Sequence, residues 1–290
     1  AASNNSICAI GHGYSVSGNN DINNSSGLIA CYSADGMELY TSIVDYQQPD
    51  YFVGSSYNDY LHTVTALSNG DFMAFGYAEY RTTAAGNSVS HPRLVRFNDS
   101  GVIFDKIITE ITREGLRSNR ADIIEINDEH ILILGDTGQN YAALMVVDQD
   151  GNYVSSATDH LNFELGMDGS SSFRSATRTN DNKLLLAGFG YRGFYGNQFL
   201  LAKIDMDLNF EWVTEYGPMF GENDKAHNVI QLPNNRIVVT GVSKDAYQTS
   251  TTPTVISYNY ADGCLESAAC NYNPIATFDN GSCYYEDICD

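Results

Sequence analysis

DNKLLLAGFGYRGFYGNQFLLAKIDMDLNFEWVTEYG, residues Asp181 to Gly217, holds a polar turn, an apolar strand reaching a glycine, a mixed loop, a second apolar strand, an Asp-containing turn and a third strand. Alternating apolar runs bounded by Asn, Asp and Gly read as short antiparallel strands. The same order recurs along the chain. A turn residue stands six positions before a glycine at Asn5 to Gly11, Gly70 to Gly76, Glu129 to Gly135, Asn182 to Gly188 and Asn235 to Gly241. Each anchor glycine is followed by a variable polar or aromatic loop and a second strand with its own turn, at Asp35, Asp99, Asp150, Asp207 and Asp262.

Further strands are expected over Leu39 to Val44, Ile103 to Ile108, Tyr153 to Ala157 and Phe210 to Glu215, and before the polar turns over His62 to Leu67, Asp122 to Ile126, Arg174 to Arg178 and His227 to Leu232. The unit is four antiparallel strands, a to d, every 53 to 65 residues. That is a β-propeller blade, a sheet that buries its apolar faces against its neighbours. The fold class is therefore all-β: a propeller of four-stranded blades over 1–262, then a Cys-rich module over 263–290. Blade one has strands b, c and d, and blade five has a, b and c. The expectation is that residues outside this chain, upstream or on another polypeptide, complete a ring of at least five blades.

The 290 residues carry 36 acidic and 15 basic side chains, a net charge of -21. Such a surface repels nucleic-acid phosphates, and no apolar run reaches membrane-span length. Nucleic acid and direct membrane insertion are excluded. Cys264, Cys270, Cys283 and Cys289 fall in the last 27 residues, where a disulfide-stapled module fits better than zinc ligation. Cys8 and Cys31 lie on strands b and c of blade one, where they could face each other across a hairpin.

The Asp181 to Gly217 stretch resembles propeller repeats of large secreted Bacteroidota proteins. The tail GCLESAACNYNPIATFDNGSC, Gly263 to Cys283, is similar to a Cys module of the same proteins, often compared with thrombospondin type 3 repeats. The resemblance implies export by a type IX route and a place at the extracellular cell surface, in adhesins or appendages. It supplies no catalytic residue.

Chemical motifs are weighed against structural readings. Gly188-Phe-Gly-Tyr-Arg-Gly193 spells a dinucleotide fingerprint, but a loop and strand follow it where a helix is required. Asp148 to Asp150 and Asp205 to Asn209 look like calcium-loop starts, yet each lacks the twelfth-position Glu and repeats at a hairpin turn. In the tail, Asp279, Asn280 and Asp287 could hold calcium; no other cofactor is expected. Asp122 and Glu125 lie on a strand a, where five-bladed glycosidases place acids, but matching positions in other blades are not acidic. His62 and His227 read as satisfied structural residues.

The loops after the anchors are the better binding candidates. They carry Tyr14, Tyr77, Tyr80, Tyr141, Phe189, Tyr191, Arg192, Phe194, Tyr195 and Tyr247, residue types that grip sugars or partner proteins. The expectation is a non-enzymatic extracellular adhesion or assembly module, partnered by other chains or domains of a surface assembly or by cell-surface glycans. A lectin-like glycan-binding propeller is the first alternative and a polysaccharide-active hydrolase the second.

Overall fold

A computed structural model describes residues 6–14, 25–44, 57–81, 88–108, 121–137, 141–157, 169–193, 196–216, 222–244, 251–259, 261–274, 276, 278–279 and 282–285. The chain forms two compact units, Ala1–Leu161 and Asn162–Asp290. Both are built from antiparallel blades of the propeller fold.

In the first unit, blade one contains β1 (Ile7–Tyr14), β2 (Ser25–Tyr32) and β3 (Glu38–Val44), paired in that order. Blade two contains β4 (Tyr57–Ala66), β5 (Phe72–Arg81), β6 (Ser88–Asn98) and β7 (Gly101–Ile107). Blade three contains β8 (Asp122–Glu125), β9 (His130–Asp136), β10 (Ala142–Asp148) and β11 (Tyr153–Ala157).

In the second unit, blade four contains β12 (Ser171–Arg178), β13 (Leu184–Tyr191), β14 (Gly196–Ile204) and β15 (Phe210–Tyr216). The short β16 (Glu222–Asn223) runs parallel to β14. Blade five contains β17 (Lys225–Gln231), β18 (Arg236–Ser243) and β19 (Thr252–Asn259). In the tail, β20 (Asp262–Gly263) pairs with β21 (Phe278–Asp279).

The turn residues explain the repeat. Gly70, Asn182 and Asn235 take positive φ values of 94°, 60° and 62°, the left-handed backbone that Gly and Asn adopt most readily. Alternation along the strands then sends one apolar row to each neighbouring blade. Ile29, Cys31, Leu61, Phe72, Ala74, Val95 and Phe97 fill the space between blades one and two. Met73, Phe75, Leu94, Ile123, Ile131, Ile133 and Met145 fill that between blades two and three. Leu185, Ala187, Phe199, Leu201 and Trp212 of blade four meet Ala226, Val229, Ile237 and Val239 of blade five.

The anchor glycines are not strand ends, which corrects the sequence reading. β5 runs on from Gly76 to Arg81, and β13 from Gly188 to Tyr191. The glycines answer instead to a bulge in the facing strand a, which has one extra residue at Leu61/Thr63, Phe173/Ser175 and Ala226/Asn228. There a carbonyl crowds the strand: a Cβ on Gly76, Gly188 or Gly241 would lie 1.7, 1.8 or 2.2 Å from the oxygen of Tyr60, Ser172 or Lys225. Only glycine fits such a close backbone approach.

Two disulfides are fully described, Cys8–Cys31 across β1 and β2 and Cys264–Cys283 in the tail. Cys270 is disulfide-bonded as well, and Cys289 lies outside the described residues. Disulfides of this kind belong to an oxidising, extracellular environment. No helix among the described residues is long and apolar enough to cross a membrane.

Candidate functional site

Because strand b continues past its glycine, the residue after the anchor extends the apolar row to the edge of the blade junction. In the first unit these residues are His12 on β1 and Tyr77 on β5, and strand a adds Tyr60 and His62. Four rings meet there. Tyr60 and Tyr77, opposite each other in the β4–β5 ladder, lie 4.7 Å apart between centroids, and His62 is 5.1 Å from Tyr77. Tyr60 and His62 stack at 5.8 Å with a 7° interplanar angle. His12 approaches Tyr60 edge-on at 5.0 Å and His62 at 6.1 Å.

Tyr60, His62 and Tyr77 are half-buried and His12 is exposed. Burial, and secondarily the charge on His12, pushes the His62 pKa down to about 4, so its ring is neutral at pH 7. The His62 Nε2 atom is buried and has no hydrogen-bond partner among the described residues. The expectation of a satisfied structural histidine is therefore corrected: the side chain at the bulge joins an aromatic cluster, where no described residue bonds Nε2.

Two carboxylates lie on the strands that carry or adjoin the cluster, Asp59 on the face of β4 opposite Tyr60. Asp59, one residue before Tyr60, is buried and paired with the fully buried Arg93 at 3.2 Å; Arg93 also binds Asp105 at 2.6 Å. Asp122 on β8 accepts a hydrogen bond of 3.0 Å from the Thr63 hydroxyl, beside His62. Glu125 accepts the Ser68 N–H, the Ser68 hydroxyl and the Gln149 amide at 2.8, 3.0 and 2.8 Å. It fastens blade three to the turn of blade two.

The corresponding place in the second unit has different chemistry. Phe189, the residue after Gly188, is 8% exposed. Arg174, the bulge residue of β12, lies 4.8 Å from its ring, and Lys225 of β17 lies 4.9 Å from it. Phe189 is therefore a buried strand residue rather than a loop residue.

The remaining sequence candidates divide. Tyr141 and Tyr191 are 40% and 38% exposed, with Tyr191 at the end of β13. Arg192 is held by Glu215 at 2.7 Å. Tyr14 and Tyr80 belong to β1 and β5 rather than to loops, although their side chains lie outside the described set. Phe194, Tyr195, Tyr247, Asn280 and Asp287 lie outside the described residues, as does the Asp279 side chain. No group of three or more His, Cys, Asp or Glu among the described residues could hold a metal ion.

Asp148 shows what the Asp-rich turns do. Its Oδ1 accepts the N–H groups of Asp150 and Asn152, and its Oδ2 accepts the Asn152 amide. Burial raises its pKa, but these hydrogen bonds and Lys106 outweigh that and leave it lowered. Asp205 repeats the arrangement with Asp207 and Asn209. Sequence reasoning missed His12 and Tyr60. The signal available was position, the residue after an anchor and the residue two before the bulge.

No family model and no curated protein matches the chain. Among solved structures, it is similar to an α-L-arabinanase of Penicillium chrysogenum complexed with arabinobiose, at 15% identity and TM-score 0.46, over 67% of this chain and 60% of that one. It is similar to a Dyadobacter fermentans protein of unknown function, at 12% identity and TM-score 0.45, over 88% and 91% of the two chains. A third is a GH43 endo-arabinanase of Bacillus licheniformis, at 9% identity and TM-score 0.34, over 89% and 91%. Such likenesses extend to the fold alone.

The similar structures are mainly named as glycoside hydrolases, which runs against the expectation of a non-enzymatic adhesion or assembly module. Matching strand-a positions in other blades lack acids, which speaks against hydrolysis only if the site follows the repeat. A catalytic site has no need of repeat symmetry, and Asp59 and Asp122 occupy non-matching positions of adjacent blades.

Proposed function

We propose that the protein is a polysaccharide-active enzyme, a glycoside hydrolase whose sugar site is the His12, Tyr60, His62 and Tyr77 cluster. The observation that carries this is the group of four rings, three of them half-buried, gathered where β4 and β8 also bring Asp59 and Asp122. Aromatic faces hold the apolar side of a sugar ring. The neutral His62, with its unmatched Nε2, suits a sugar hydroxyl, since neutral imidazole can donate or accept. Hydrolysis of a glycosidic bond takes two carboxyl groups, one giving a proton to the leaving oxygen and one activating water or attacking the sugar. Asp59 and Asp122 are the pair assigned to those roles.

The substrate would be extracellular. The tail's similarity to modules of type IX-secreted Bacteroidota proteins supports export by that route and attachment at the cell surface, with cell-surface or environmental glycans as partners.

The test is release of reducing ends from a panel of arabinans, galactans and fructans. Asp59→Asn and Asp122→Asn should each lower kcat by about 10²-fold or more. Tyr60→Ala should raise KM by roughly tenfold with a smaller change in kcat. Binding of a glycan with no release of reducing ends, or turnover untouched by the two Asn variants, would refute the assignment.

A further inference from the structure

Gly11 holds the anchor position of blade one, yet a Cβ built on it meets nothing within 4 Å. At Gly76, Gly188 and Gly241 the same Cβ would strike the carbonyl of a bulged strand a. Gly11 needs no left-handed backbone either, since it is not among the positive-φ glycines. The glycine is thus fitted to a neighbour absent from the described residues.

The side chains around Gly11 agree. Four residues before each anchor, Phe72, Ile131, Leu184 and Ile237 are at most 3% exposed, whereas Ile7 is 55% exposed. Leu28, opposite Gly11 on β2, is 41% exposed, although its blade-four counterpart Leu200 is fully buried. Among the described residues β1 therefore has an unpaired ladder edge and an uncovered apolar row, the combination that recruits a further strand.

We infer that the edge of β1 is a docking site for one extended polypeptide strand, antiparallel to β1 and bulged by one residue opposite Gly11. The occupied blades specify the strand's chemistry. At the bulge they carry Leu61-His62-Thr63, Phe173-Arg174-Ser175 and Ala226-His227-Asn228: a buried apolar residue, a basic residue, then a short polar one. The third residue serves the next blade, Thr63 donating to Asp122 and Ser175 accepting the Val229 N–H at 3.3 Å. A strand with this triplet satisfies β1 and also reaches toward β4. A second β1 does not, because it has Gly11 where the bulge residue is required and is paired without a bulge along β2.

The probe is a labelled synthetic peptide with the sequence of Asn58 to Leu67, titrated into the intact 290-residue protein, alongside a scrambled peptide. Saturable one-to-one binding of the first peptide alone is expected. Gly11→Val should weaken it by about 10- to 100-fold, the cost of one to three kcal/mol for overfilling a packed contact, while leaving the thermal melt of the unliganded protein unchanged. Equal binding by Gly11→Val, equal binding of the scrambled peptide, or no binding at millimolar peptide would overturn the inference. So would sedimentation showing that the protein dimerises through β1 in its place.

Discussion

Gly76→Ala tests the account of the anchor glycines most directly. The added methyl would lie 1.7 Å from the Tyr60 oxygen and 2.9 Å from the Leu61 Cα, where ordinary carbon–oxygen contacts begin at about 3.3 Å. Strand β4 must therefore retreat by more than about 1 Å at its bulge. Roughly three ladder hydrogen bonds, each worth about 1 kcal/mol net, would be strained, and Leu61 would lose packing against the first two blades. A cost of about 3–5 kcal/mol follows, which for a unit of this size lowers Tm by roughly 10 °C. Gly11→Ala is the paired control. With open space around it, that change should be neutral or stabilise by up to about 1 kcal/mol, by restricting the unfolded chain. Urea or thermal melts of both variants measure the difference directly. If the two fall within about 1 kcal/mol of each other, close backbone approach is not what the anchors serve.

Three further outcomes are expected. Because the folded pKa of His62 is lowered to about 4 and the unfolded value is about 6.5, the unfolded state takes up a proton first; its contribution is complete above about pH 6.5 and lost as pH falls toward 4. Urea melts at pH 7.5 and 4.5 should show His62→Phe losing less stability on acidification than the parent, and parallel losses would contradict the burial argument. Replacing both Cys8 and Cys31 by Ala opens a loop with a sequence separation of 23, and should cost about 3 kcal/mol by chain entropy, read as a lower melting temperature that reductant shifts less than it shifts the parent's, the tail disulfides remaining. Lys203, fully buried, holds Asp181 at 2.8 Å and Glu211 at 3.5 Å; because Asp181 is 45% exposed and Glu211 keeps Lys183, Lys203→Ala should cost about 2–4 kcal/mol in urea melts, mainly through the cavity left by its buried chain, and Lys203→Met distinctly less.

Much of the fold is legible because it is local. The positive φ of Asn182 and Asn235, the Asp148 and Asp205 turns and the strand periodicities each need only a few consecutive residues. Cys8 and Cys31 could be paired from hairpin register alone, and they lie directly opposite each other. The site is less legible because it depends on distant strands. Glycine after an apolar run looks like a strand end, whereas here it records a bulge on strand a, as Gly188 does opposite Phe173. With the strands cut at the anchors, Tyr77 and Phe189 pass for loop residues, and His12 and Tyr60 cannot be brought together. Glu125 was conspicuous as an acid on an inner strand, but its role as a fastener depends on Ser68, 57 residues away.

The fasteners between blades have an evolutionary consequence. Glu125 grips the Ser68 N–H and Gln231 the Asn180 N–H, each from ten residues before its own anchor. Arg96 reaches the Gln149 carbonyl, and Lys106 that of Asp150. Each of these contacts ends on main-chain atoms, which every residue but proline possesses in full. The turn that receives a fastener can therefore change several of its side chains, those at the left-handed positions Gly70 and Asn182 excepted, and a copied blade arrives already able to hold its neighbour. A lineage built this way can lengthen, trade or diversify its repeats with little correlated change, spending its sequence variation on the few edge positions where ligands are met.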